Sequence, residues 1–217
     1  MEKSFMNIKL STHEKKLSLI SFWITFALTQ IYGIVSGIAL SSSGAPVESG
    51  NYLSIMAVLV VLMGPFLILS MIMLHKYAIQ KYKPFSMAAL IFMSMCVAIT
   101  SCNNFLLLFV NSNQHLFDSF IKSLFLPCKW PVFIFVLDNF TWDWFFGISM
   151  ILIAPVLKGN KLLNIARYLV ILSGILCLTG LILTFFTPQI GIYTGIIGWG
   201  AVGPIAFLLL AKAFEKI

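Results

Sequence analysis

"NYLSIMAVLVVLMGPFLILSMIMLHKYAIQKYK", residues 51–83, holds no charged residue before Lys76, and Lys81 and Lys83 follow closely. A helix of about 20 apolar residues, at a 1.5 Å rise, crosses a hydrocarbon core of about 30 Å. The stretch therefore reads as a transmembrane helix anchored by cations at one membrane face. Alternation of apolar and polar residues, the mark of a membrane strand, is absent, and a helix satisfies its own backbone in lipid.

The same reading extends outward along the chain. Six stretches qualify as spans, at about 17–40, 52–74, 84–110, 132–157, 166–187 and 193–214. The 217 residues are 60% hydrophobic and 10% charged, against about 25% charged in soluble domains. We read residues 1–217 as a single transmembrane domain, an all-α bundle of six helices in a lipid bilayer. The basic N-terminal tail precedes an apolar run too long for a secretory signal, so the first span is expected to be retained.

The cations set the orientation. Lys3, Lys9, Lys15 and Lys16 precede span one; Lys76, Lys81 and Lys83 follow span two. Lys158, Lys161 and Arg167 follow span four, and Lys212 and Lys216 end span six. Twelve cations thus fall on one side and only Lys122 and Lys129 on the other. The positive-inside rule puts both termini in the cytoplasm of a cell membrane. Dispersal of the net charge of +7 over several connections argues against a nucleic-acid surface.

Between spans three and four, Leu116, Phe117, Phe120, Ile121, Leu124 and Phe125 recur at helical spacing. That pattern predicts an amphipathic helix over about 115–126, lying in the outer interface. Gly64-Pro65, Ala154-Pro155 and Gly203-Pro204 predict kinks in spans two, four and six. No broken helices or inverted repeats of the transporter kind are legible.

The polar residues are placed by counting from the cytoplasmic cations. Asn103, Asn104 and Asp138 fall at the outer boundary and form an outer rim. There Asp138 or Asn139 would cap a helix, and Trp130, Trp142, Trp144 and Tyr193 would form an aromatic belt. Asp143 falls about five residues deeper, roughly 7–8 Å. Gln30 and Trp199 come out at a similar depth, and Thr100 slightly shallower. Asn139 and Asp143 are four apart and share a helix face, whereas Asp138 and Asp143 do not. Asp143, Asn139, Gln30, Thr100 and Trp199 would then line an outward-facing polar cup for a small polar or cationic ligand. An acid within a span marks a functional site by default; the competing reading is interfacial trim.

Gly33-x-x-x-Gly37 and Gly191-x-x-x-Gly195 let helices approach closely, within the bundle or across a homodimer. No paired histidines, zinc-ligand set or nucleophile motif can be assembled, so no cofactor, metal or catalytic residue is expected. Cys102 and Cys128 are the one cysteine pair near a single membrane face. A non-catalytic scaffold or partner protein is the alternative to a binding or transport role, with a lipid-modifying enzyme a third reading.

"WDWFFGISMILIAPVLKG", "LLNIARYLVILSGILCLTGLIL" and "IGIYTGIIGWGAVGPIAFLLLAKAF" are together similar to a set of small, uncharacterised multi-pass membrane proteins of bacteria. The resemblance covers about residues 141–214. It implies about six spans and a bacterial inner membrane, and it brings no reaction and no functional residues.

Overall fold

The computed structural model describes residues 11–43, 51–126 and 131–216, and every regular element among them is helical. The first three helices are long: α1 (Thr12–Ser43), α2 (Asn51–Tyr77) and α3 (Lys83–Ser112). A short α4 (Ser119–Phe125) follows. The fourth helical track is α5 (Phe133–Phe140), a π-helical segment (Thr141–Phe146), α6 (Gly147–Ile153) and a 3-10 turn (Ala154–Val156). Next comes an uninterrupted α7 (Lys161–Thr184). The last track is α8 (Pro188–Ile196), a second π segment (Ile197–Val202) and α9 (Gly203–Glu215).

Among the described residues five helical runs are long and apolar enough to cross a membrane: Thr12–Ile38, Asn51–Tyr77, Gln80–Ser112, Lys161–Thr184 and Pro188–Glu215. The protein is a multi-pass membrane protein. Its helices follow one another round a ring: α1 on α2, α2 on α3, α3 on α6, α6 on α7, α7 on α8 and α9, and α9 back on α1.

Lipid explains the radial arrangement. Lipid tails are as apolar as leucine, so burying a leucine between membrane helices gains little, and packing with hydrogen bonding decides which face turns inward. The outer surface accordingly carries Ile34, Leu62, Ile91 and Ile182, all exposed. The small hydroxyls turn inward: Ser18, Ser21, Thr25 and Thr29 form one buried stripe along α1. Each lies three or four residues from the next, the spacing of one helix face. Aromatic rings fill the centre near α9, where Phe22 meets Phe214 at 5.2 Å and Tyr77 meets Phe214 at 5.1 Å.

Polar ties gather one end of the ring. Lys76 pairs with Glu14, joining the end of α2 to the start of α1. Lys15 Nζ donates to the Glu215 carbonyl at 3.2 Å, and Trp23 Nε1 donates to Glu215 Oε1 at 3.0 Å. Lys158 Nζ donates to the Tyr82 hydroxyl at 2.9 Å. The cation-bearing starts of α1 and α3, and the ends of α2, α6 and α9, therefore share one end.

Three expectations change. The amphipathic pattern over 115–126 is not one helix: Gln114–Leu116 is a 3-10 turn, and α4 begins only after Asp118. Asp118 Oδ1 accepts the Ile121 N–H at 2.8 Å, an N-cap that restarts the helix and separates Leu116 and Phe117 from the residues after it. Prolines act differently in the three tracks. Pro65 lies inside continuous α2, Pro155 sits in the 3-10 turn and Pro204 follows the second π segment. Pro204 supplies no N–H to Gly200; just before it, Gly203 N–H reaches back five residues to the Gly198 carbonyl. Finally, the fourth and sixth tracks are interrupted helices, which the apolar run lengths do not reveal. Cys102 is exposed, and its pairing with Cys128 lies outside the described residues.

Candidate functional site

The polar residues assigned to one cup fall into separate places. Asp138, on α5, faces α3. Its Oδ1 accepts from Thr100 Oγ1 at 2.7 Å, Asn104 Nδ2 at 3.1 Å and Asn103 Nδ2 at 3.2 Å. Asn103 Nδ2 also reaches the Ile134 carbonyl at 3.0 Å. Thr100, Asn103 and Asn104 are all buried. The expected rim is thus an internal network joining the third and fourth tracks, with Thr100 a member of it.

Asp143 sits on the first π segment and is 1% exposed. Neither carboxylate oxygen has a hydrogen-bond partner among the described residues. The carboxylate lies where a side chain at position 195 would be: a Cβ on Gly195 would stand 2.7 Å from Asp143 Cγ. Gly195, on α8, therefore makes the recess that admits this acid. Cys177, on α7, borders the same glycine, its Sγ 3.9 Å from the Gly195 carbonyl. Asn139 does not join Asp143 despite their spacing of four, and its Nδ2 is buried without a partner. The wider turn that begins at Thr141 alters the rotation between the two positions, so the α-helical rule of shared faces fails there.

Gln30 points outward from α1, and Thr29 takes the inward position. Trp142 is not part of an aromatic belt. It is 3% exposed and stacks on Trp199 of the second π segment, with centroids 5.1 Å apart and planes 27° apart. Tyr32 of α1 packs on the other ring, Trp199, at 5.9 Å. Trp144 and Tyr193 are exposed, as a belt requires. Trp142 also reaches Asp138, so it stands between the Asp138 network and the Trp199 ring.

Beside the stacked indoles is a chamber of about 10 Å³, lined by Thr25, Thr29, Met63, Trp142, Phe146 and Trp199 among others. Thr25 and Thr29 carry no site role in the sequence, and Gly195 reads there only as a glycine for close helix approach. The signal for the threonines was present in the serine–threonine spacing along α1; no pattern pointed to Gly195 as the partner of an acid on another helix.

The two interruptions thus meet: one carries Trp142 and Asp143, the other carries Trp199 just after Gly195. π segments inside α-helices are frequent at functional sites. They widen the helix, re-aim side chains and shift backbone carbonyls from their usual partners. Here one such carbonyl, Gly198 O, accepts from Ser173 Oγ of α7 at 2.8 Å. Among the described residues no group of three or more His, Cys, Asp or Glu could hold a metal ion. The arrangement offers a bare acid, two stacked indoles and a water-sized space within a ring of helices. No protein-family model, curated protein or solved structure matches this chain.

Proposed function

We propose that this chain is a six-span protein of a bacterial inner membrane, with both termini cytoplasmic, that binds a small polar or cationic ligand at Asp143 and has a transport role rather than a catalytic one. In this reading Phe133–Val156 is the remaining span and α4 lies in the outer interface; Phe120, 67% exposed, would face the acyl chains. One observation carries the ligand: a carboxylate buried among helices with neither oxygen partnered. Burying an ionised group is costly unless it is paired, and among the described residues no lysine or arginine forms an ion pair with it. A bound cation supplies the missing charge. The π segments on either side supply helices that can rewind to admit it.

The test is a thermal-unfolding screen of the purified protein with sodium, potassium, calcium and tetramethylammonium chlorides, run in parallel on Asp143→Asn. A ligand at 100 times its Kd adds about 2.7 kcal/mol, or roughly 5–10 °C at this chain length. At least one salt is expected to raise the parent's midpoint by that order and to leave the variant's unmoved. Equal response of parent and variant, or no response from either, sinks the reading. Without ligand, Asp143→Asn should melt at or above the parent, because the lost carboxylate has no partner to leave behind.

A second reading, a partner protein acting as a homodimer, is favoured by the outer face of α1. A Cβ on Gly33 or Gly37 would meet nothing within 4 Å, so these glycines do not serve packing inside the ring. Gln30, exposed, lies on the same face at helical spacing, and an amide is both donor and acceptor. Close approach of two copies would let the glutamines bond across the seam. Single-molecule photobleaching in bilayers should then show two copies for the parent and one for Gly37→Leu. A parent that is already single removes this reading.

A further inference from the structure

The chamber beside the indoles has a chemistry of its own, independent of whether Asp143 takes a ligand. Thr25, 1% exposed, lines it from α1, and its Oγ1 has no hydrogen-bond partner among the described residues. Trp199 lines it from the second π segment, and its Nε1 is likewise buried and unpartnered. Thr29 Oγ1 donates to the Thr25 carbonyl at 2.8 Å and lies 3.0 Å from Met63 Sδ. Its lone pairs stay open to a further donor. The remaining walls, Met63, Trp142 and Phe146 among them, are apolar or aromatic.

Size and donor type select the occupant. A space of about 10 Å³ holds about one water-sized sphere, which excludes an organic ligand. An indole N–H only donates, so its partner must accept a hydrogen bond, and its positive end repels a cation. A lone acceptor such as a halide would suit the indole but would leave the Thr29 oxygen without a donor. Water meets every requirement. It accepts from Trp199 Nε1 and from Thr25 Oγ1, and it donates to Thr29 Oγ1. Three bonds is the usual number for a buried water.

We infer that this chamber is a binding site for a single water molecule, held by Thr25, Thr29 and Trp199, which ties α1 to the second π segment. Through that water Thr25 is a positioning residue for the Trp199 indole, the ring that stacks on Trp142 next to Asp143. The tie joins residues far apart in the chain, across a layer where α1 and the π segment otherwise meet through aromatic contact. It fixes the rotation of Trp199 as well as its position, because only one edge of the indole carries the N–H.

The test uses the full chain in lipid bilayers with its tryptophans labelled with nitrogen-15, read by solid-state NMR. The Trp199 indole signal is assigned by its loss in Trp199→Phe. A cross-peak from that N–H to water protons is expected in the parent and in Thr25→Ser. In Thr25→Val the cross-peak should vanish and the indole proton should move upfield, as a hydrogen bond is lost. Absence of the cross-peak in the parent overturns the site. A cross-peak that persists unchanged in Thr25→Val overturns the role of Thr25. A Trp199 signal that moves when chloride is exchanged for bromide puts a halide there instead, and also overturns it. Should Thr25→Val fail to assemble, Thr25→Ala takes its place, and the parent spectrum still decides whether the water is present.

Discussion

Asp138→Ala should lower the stability of the protein by about 3 kcal/mol, a large loss for a single change. The side chain is the shared acceptor for Thr100, Asn103 and Asn104. Removing it strips these three buried donors, and the Trp142 indole beside them, of an acceptor at once. The loss is tempered because both amides keep a second bond, to the Ile134 and Thr100 carbonyls. Asp138→Asn retains one acceptor oxygen and should lose about half as much. Thermal unfolding in detergent ranks the three proteins. If Asp138→Ala melts with the parent, the network does not hold the third and fourth tracks together. Asp143→Asn is the counterpart: it removes an acid that no donor serves, so its signature is altered ligand response with stability preserved.

Gly180→Ala should be as damaging, although it adds only a methyl group. At that position a Cβ would lie 2.6 Å from the Gly195 nitrogen, 2.8 Å from the Gly191 oxygen and 2.9 Å from the Gly195 Cα. These are backbone atoms, which cannot rotate aside as a side-chain tip can. α7 and α8 would have to move apart, and the recess that Gly195 gives to Asp143 would move with them. A cost of about 3 kcal/mol is at the upper end for overpacking, and the ligand-induced shift should be lost as well. Gly33→Ala is the control: with open space before it, its stability should stay within about 0.5 kcal/mol of the parent, or rise slightly as helix propensity improves. Equal melting of the two variants would refute the close packing of α7 on α8.

Much of the architecture was readable because membrane helices announce themselves by length and apolarity, as Asn51–Tyr77 does. Rotation about each helix axis was harder to read. Depth counting put Gln30 beside Asp143, yet one residue earlier Thr29 completes the buried stripe of Ser18, Ser21 and Thr25. In lipid both faces of a helix are apolar, so the position of small hydroxyls, rather than of leucines, identifies the inner face. The missing hydrogen bond between Asn139 and Asp143 was out of reach for a different reason. A π turn is set by competition between backbone carbonyls and packing partners on other helices, such as Trp142 on Trp199. No spacing within the fourth track encodes it.

The contact of α1 with α9 joins the earliest described helix to the latest. During synthesis α1 enters the bilayer well before α9, with its hydroxyl stripe uncovered, and part of that stripe's cover comes from α9. Thr25 and Thr29 therefore wait for the Trp199 ring, and Trp23 for its Glu215 partner. Such long-range closure slows assembly relative to neighbour-by-neighbour zipping. It also leaves the α1 stripe partly open until α9 is in place, so that a chain stalled before α9 would keep an open, polar-lined seam.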